Sequence, residues 1–352
     1  MNFMLKLLAS IFIALNPLSV LFPVIPITQD ASHKEAPLFF SPSNSVNLTP
    51  APSPALPEER NDTTTYQLPI QADIFLATQQ LLPVFPIRDW NVPEPEISAA
   101  IALIYDAANH QILFQKNGIY ERRPIASLTK LMTALVVLEN ADLNASFKIS
   151  KEAVQTEGEM GSLLTGEELT IKSLLYALLV QSSNDAAVAL AENIPFSLKD
   201  YSGQASGTSS TQKFVELMNQ KAKSMGLKKT SFADPSGLSP ENYSSAWDIE
   251  QLLLAAVQIP VLQKIMQTKQ INLRSNDDRF NHYLVSTNKL LGVIPEIVGG
   301  KTGYTEEAGN CIALALKSPS GEGLVIIVVM DAKDRLSETK TLFEWTKRAY
   351  LW

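Results

Sequence analysis

Apolar and polar positions along this chain change their spacing several times, and the changes mark out its parts. Ala99–Tyr105 and Gln111–Gln115 are apolar-rich runs of strand length, joined by a turn at Asp106–His110. Ala126–Asn140 is apolar on nearly every side, which predicts a helix buried all round. Helical spacing recurs over Thr170–Asn193, over Gln212–Met225, which stops at Gly226, and over Ala246–Val257. Strand character returns in Glu296–Gly300, Asn310–Leu316 and Leu324–Met330, with a hairpin turn over Gly321–Gly323. An amphipathic helix follows from Leu336 to Tyr350, and the Gly/Ser/Thr-rich stretch within Phe196–Thr211 reads as a surface insertion. Strands near both ends with helices between them predict one α/β domain whose sheet joins its N- and C-terminal parts.

Ahead of that domain the pattern is different. Lys6 is followed by an uncharged apolar run, Leu7–Ile27, and the first acidic residue is Asp30. The run has the length of a bilayer span, and a positive start fits a secretory signal or a membrane anchor equally well. Pro17, Pro23 and Pro26 exclude a buried core helix. Residues 1–28 are therefore expected to direct export or to anchor the chain. Eleven of the 21 prolines fall between residues 28 and 97. That composition predicts a mostly disordered Pro/Ser-rich linker over 29–96, interrupted by short apolar patches at Ile74–Leu76 and Leu81–Phe85. The folded domain is expected over 97–352.

Composition removes several function classes. A net charge of −7 leaves no domain-wide basic face for nucleic acid. The single cysteine, Cys311, excludes an internal disulfide, and its apolar surroundings Ile312–Ala315 place it in a buried strand. Three histidines (His33, His110, His282) form no ligand pair at helical spacing. No metal or other cofactor is expected.

A hydroxyl nucleophile needs a group to take its proton. No G-x-S-x-G elbow is present and no histidine stands in a triad context, so a lysine base is the open route. Ser127 and Lys130 lie at i and i+3 at the start of the apolar helix and so share a face. The same spacing occurs at Ser210, Ser286 and Ser337, where a solvated helix or loop serine explains it. Ser127 differs because Pro124-Ile125-Ala126 leads straight into a buried helix, in which an idle lysine would be costly. A second element is Ser182-Ser183-Asn184-Asp185, although Ser-x-Asn recurs at Ser45 and Ser286 and also suits an N-cap or turn. The third, Lys301-Thr302-Gly303, occurs once, at the end of an apparent strand where small residues permit close backbone approach.

Taken in order, these three elements resemble the signature set of penicillin-binding proteins and serine β-lactamases. Arg122–Thr133, Gln181–Leu190, Asp234-Pro235-Ser236-Gly237-Leu238 with Tyr243–Ala246, and Lys301–Thr305 resemble more narrowly the low-molecular-mass D-alanyl-D-alanine carboxypeptidases. The likeness covers Ile97 to Trp352. It implies a transpeptidase-like fold of the β-lactamase type, an antiparallel sheet flanked by helices with a mostly helical subdomain. It also implies a serine carboxypeptidase that removes the terminal D-alanine from peptidoglycan stem peptides at the extracytoplasmic face, and that β-lactams acylate. By the same resemblance Ser127 is the nucleophile, Lys130 its base and Ser182 a proton relay. Asn184 holds the substrate and Lys130, while Lys301 supplies a positive field. Thr302 and Gly303 lie on the substrate-binding strand edge, the amides of Ser127 and Tyr304 form an oxyanion hole, and Arg335 meets the terminal carboxylate. Family members often carry a β-rich C-terminal domain and a membrane helix, whose tethering role the N-terminal run is expected to take here. Two alternatives stay open. A β-lactamase of the same fold would want a Glu-x-x-Leu-Asn loop, which does not occur between Asn184 and Lys301. A non-catalytic envelope protein would not need every motif residue intact.

Overall fold

In the computed structural model, residues 86–158, 163–194 and 209–352 are described. The apolar run Leu7–Ile27, the Pro/Ser-rich stretch through residue 85 and most of the insertion at 196–211 lie outside the described residues.

The centre is a five-stranded sheet. Its strands are β1 (Ile101–Asp106), β2 (Gln111–Lys116), β3 (Ile297–Thr305), β4 (Gly309–Lys317) and β5 (Leu324–Ala332), in spatial order β3-β4-β5-β1-β2. Every neighbouring pair is antiparallel, and β5 joins the two ends of the sequence through Val328↔Leu103 and Ile327↔Ile104. The two faces of the inner strands are both apolar, because successive side chains point to opposite sides and both sides are covered. Ile101, Leu103, Ala313 and Val328 face one buried cluster with the helices that follow β2; Ile104, Leu314 and Ile327 face a second with Phe343 and Trp345. Helix α1 (Lys130–Asn140) is the buried helix expected from its pattern, preceded by a 3-10 turn over Ala126–Thr129.

The expected continuous helix over 170–193 is broken. Ile171–Tyr176 is α-helical, Ala177–Gln181 widens into a π-turn, and Ser182 adopts φ 67°, ψ 32°. A left-handed residue cannot continue a right-handed helix. Helix α2 (Asn184–Asn193) then starts afresh, with the Ser183 hydroxyl accepting the Ala186 amide at 3.0 Å. Helix α3 occupies Ala246–Val257 and packs on the sheet; α4 occupies Arg335–Ala349 on the opposite face. A short helix, Pro260–Met266, and a hairpin, Gln270–Arg274 with Asn281–Val285, complete the part between α3 and β3.

The stretch from Ile87 to Pro93, read from composition as linker, lies on the domain. Ile87–Arg88 pairs antiparallel with Tyr350–Leu351, and the Trp345 indole donates to the Pro93 carbonyl at 2.8 Å. The Arg88 guanidinium sits 4.9 Å from the Trp345 ring centroid, and Val92 packs against the second cluster. Deleting residues 86–96 from the chain should therefore lower its Tm by about 5 °C, since it orphans the buried indole and opens the aromatic cluster. Calorimetry of chains beginning at residues 86 and 97 checks this.

One buried carboxyl in this packing has a measurable consequence. Glu250 on α3 is almost fully buried, and its Oε1 has no hydrogen-bond partner among the described residues. Burial pushes its pKa up to about 7. The folded form thus holds a proton that the unfolded chain releases near 4.5. The resulting stability is full below about 4.5 and is lost as pH rises to about 7, a change of roughly 3 kcal/mol. Glu250→Gln should flatten that part of a stability-against-pH curve measured by urea unfolding.

Candidate active site

The turn that carries Ser127 is assembled from three sides. Arg123–Pro124 pairs with Tyr243–Ser244, and the Ile125 amide donates to Asn242 O at 3.1 Å. Ala126 then takes φ 46°, so the chain enters the 3-10 turn abruptly and presents Ser127 at its first turn. Gly237, at φ +89°, backs this turn: a Cβ there would lie 2.0 Å from Ala126 O. Strand β3 closes the other side, where a Cβ on Gly303 would meet the Ser127 amide at 3.0 Å. Both glycines are required by close approach of main chain to the turn.

Lys130 lies one turn further on and is completely buried. Its ammonium donates to Ser127 Oγ at 2.9 Å, to Asn184 Oδ1 at 2.8 Å and to Ser236 O at 2.5 Å. Burial draws its pKa down to about 7, and the Asp234 carboxylate opposes that shift without cancelling it. A lysine that loses its proton near neutrality, in contact with a hydroxyl, can accept that hydroxyl's proton.

The Ser236 carbonyl is aimed by the turn around it. Burial pushes the Asp234 carboxyl up, but hydrogen bonds from the Ser236 hydroxyl and the amides of Ser239, Gly237 and Ser236 outweigh it and hold the pKa below the usual range. Asn242 Nδ2 donates to Asp234 Oδ2 at 2.7 Å, and Thr133 on α1 donates to Pro235 O at 2.6 Å. The Asp-Pro-Ser-Gly string is a turn signature. Its use as a lysine acceptor is not written in it, because any residue supplies the same carbonyl.

The break in the second helix delivers the next pair. Ser182, at the left-handed kink, accepts a hydrogen bond from Lys301 Nζ at 2.8 Å. Lys301 is buried and also donates to Thr302 O at 2.7 Å. Burial, then the charges of Lys130 and Arg335, hold its proton affinity well below that of an ordinary lysine. Asn184, first residue of α2, bridges Lys130 to Glu157 O, to which its Nδ2 donates at 3.1 Å. Lys301-Thr302-Gly303 stands inside β3, because that strand runs on to Thr305 and does not stop at Gly300 as its apolar pattern suggests.

Ser127, Ser182, Asn184, Thr302, Gly303, Tyr304 and Arg335 all line one cavity of about 660 Å³, and Lys130 and Lys301 lie behind it, bonded to Ser127, Asn184 and Ser182. Arg335, at the start of α4, donates to Gly303 O at 2.6 Å, and Tyr304 is 59% exposed at the rim. Every site residue proposed from sequence is therefore at this cavity or in contact with a residue that lines it. The competing serines separate from it: Ser210 and Ser337 lie in the first turns of their helices and do not line the cavity. Ser286 does line the cavity, but its hydroxyl accepts the Asn288 amide at 3.1 Å and Lys289 turns to its carbonyl. Among the described residues no group of three or more His, Cys, Asp or Glu side chains could hold a metal ion.

Residues 89–334 match the sequence pattern of the D-alanyl-D-alanine carboxypeptidases. The chain belongs to that family. It is 34% identical over 261 residues to the D-alanyl-D-alanine carboxypeptidase DacF of Bacillus subtilis, over 72% of this chain and 63% of that relative. It thus spans less than two thirds of that relative's length. A D-alanyl-D-alanine endopeptidase of Escherichia coli is 32% identical over 243 residues, 68% of this chain and 73% of the relative. Among solved structures, a point variant of a Streptomyces DD-transpeptidase superposes with a TM-score of 0.64 at 26% identity, covering 72% of this chain and 99% of that one. The transpeptidase-like α/β fold expected from the family resemblance is the fold observed.

Gly237→Ala tests the packing behind Ser127. Its Cβ would collide with main chain that has no room to yield, so acylation by a labelled penicillin should fall at least about a hundredfold. The far-ultraviolet spectrum should change little, because the turn lies outside the sheet and helices.

Proposed function

We propose that this chain is an active serine D-alanyl-D-alanine carboxypeptidase of the bacterial cell wall. The observation that carries the proposal is the contact of Ser127 Oγ with Lys130 Nζ at 2.9 Å, the lysine being buried and poised near neutrality. Neutral Lys130 takes the Ser127 proton as Oγ attacks the carbonyl between two D-alanines. The amides of Ser127 and Tyr304 hold the developing oxyanion. Ser182, hydrogen-bonded to Lys301, passes a proton to the departing amine, so D-alanine leaves as a neutral amine and the peptide stays as an ester on Ser127. Water then cleaves that ester and returns the hydroxyl. Asn184 and the Thr302–Gly303 edge of β3 grip the extended substrate backbone, which adds to the sheet as a further strand. Arg335 at the same cavity favours a substrate that ends in a carboxylate, which separates removal of a terminal residue from cleavage within a cross-link. A β-lactam presents a strained amide to the same serine and becomes a stable ester there.

Among the described residues no single helix is long and apolar enough to cross a membrane. The export or anchoring function is assigned to Leu7–Ile27, with the Pro/Ser-rich stretch that follows as a spacer between envelope membrane and domain.

Ser127→Ala should abolish both D-alanine release from a D-Ala-D-Ala pentapeptide and covalent labelling by penicillin. Mass spectrometry of the products reads the first and gel fluorescence the second; undiminished labelling would overturn the assignment. Lys130→Arg should be nearly as damaging as Lys130→Ala, because arginine keeps the charge and cannot give up its proton. In the unaltered enzyme the rate of acylation should rise with pH through about 7 and then level off, since the neutral lysine is the active form.

A further inference from the structure

On the carboxypeptidase reading above, we infer that Thr287 is a positioning residue that turns the Thr302 hydroxyl toward the terminal carboxylate of the substrate. Thr287 stands just past the strand Asn281–Val285, in a turn that is held at every step. The Ser286 amide donates to Lys269 O at 2.8 Å, the Asn288 amide to Ser286 Oγ at 3.1 Å and the Leu290 amide to Asn288 Oδ1 at 3.1 Å. The Thr287 amide donates to Val180 O at 3.0 Å, within the π-turn that ends at Ser182. Its Oγ1 lies 2.7 Å from Oγ1 of Thr302 on β3. One residue therefore ties the segment that delivers Ser182 to the strand that delivers Lys301 and Thr302. Both threonines line the cavity together with Arg335.

Two hydroxyls at this distance share one hydrogen bond, and it can run either way. In the arrangement seen, Thr302 donates to Thr287. A carboxylate only accepts, so a carboxylate beside Arg335 requires the Thr302 proton. Thr287 then donates its own proton to Thr302 Oγ1, and the pair reverses direction without displacement of a heavy atom. A hydroxyl that accepts one hydrogen bond is a stronger donor of another. Thr287 thereby strengthens the contact that distinguishes a free terminal carboxylate from an ester or amide.

The test is steady-state turnover of two matched peptides, one ending in D-Ala-D-Ala and the other the same peptide as its C-terminal methyl ester, together with penicillin labelling of each variant. Thr287→Val keeps the shape and the amide bond to Val180 and removes only the hydroxyl. Its KM for the carboxylate peptide should rise about tenfold with kcat within about twofold, so that its preference over the ester shrinks by the same factor. Thr287→Ser, which restores a hydroxyl, should recover the preference, and Thr287→Ala should repeat the effect of valine should the latter fold poorly. An unchanged preference in the valine and alanine variants, an equal fall in kcat and rise in KM for both peptides, or a serine variant as impaired as valine would overturn the inference. An unaltered chain that neither labels nor turns over would overturn the carboxypeptidase reading and this inference with it.

Discussion

The cavity depends on the burial of one ammonium group. Lys130 is buried out of contact with bulk solvent, and protein oxygens satisfy its ammonium. Three elements answer that demand: the 3-10 turn supplies Ser127 Oγ, α2 supplies Asn184 Oδ1 and the Asp234–Gly237 turn supplies Ser236 O. Removing any one leaves a buried cation short of an acceptor, so the lysine enforces the relative placement of all three. The same burial lowers its proton affinity. One constraint thus fixes both the geometry and the chemistry of the site.

Part of the backbone strain in the structure lies beside this group. Ala126, Ser182 and Gly237 all have positive φ, and only the last is glycine. Each left-handed alanine or serine costs roughly 1–2 kcal/mol relative to helical backbone. The cost is sustained because each kink aims a hydroxyl, that of Ser127 or Ser182, which a regular helix would point elsewhere. Ser182 ends the π-turn with its hydroxyl toward Lys301, while the next two residues cap and begin α2. The two lysines are both buried, the charge of Lys130 helps to lower the hold of Lys301 on its proton, and their hydrogen bonds reach two different serines.

Much of this arrangement was legible in the sequence, for reasons that differ by residue. The i, i+3 spacing of Ser127 and Lys130 inside an apolar helix carries its own physical argument, and the helix is where the pattern puts it. The break before α2 is legible only in part: the polar string Ser182-Ser183-Asn184-Asp185 suits an N-cap or turn, but neither glycine nor proline marks the left-handed Ser182. Strand β3 outruns its predicted end because Lys301 and Thr302 are polar side chains buried by the site itself. The hairpin Gln270–Arg274 with Asn281–Val285 buries only alternate positions of a polar sequence, and a two-residue strand at Ile87 is too short to show a period. Asp234, Asn242 and Thr287 act through turns and second contacts, which no spacing rule exposes.

The pairing of Ile87–Arg88 with Tyr350–Leu351 also sets a mechanical load path. A pull transmitted along the chain from ahead of Pro86 meets this two-residue ladder, the Arg88 contact with Trp345 and the indole bond to Pro93 before it reaches β1. That ladder has two residue pairs, whereas β5 meets β1 through six, so the sheet and the site at its edge lie behind the weaker of the two junctions.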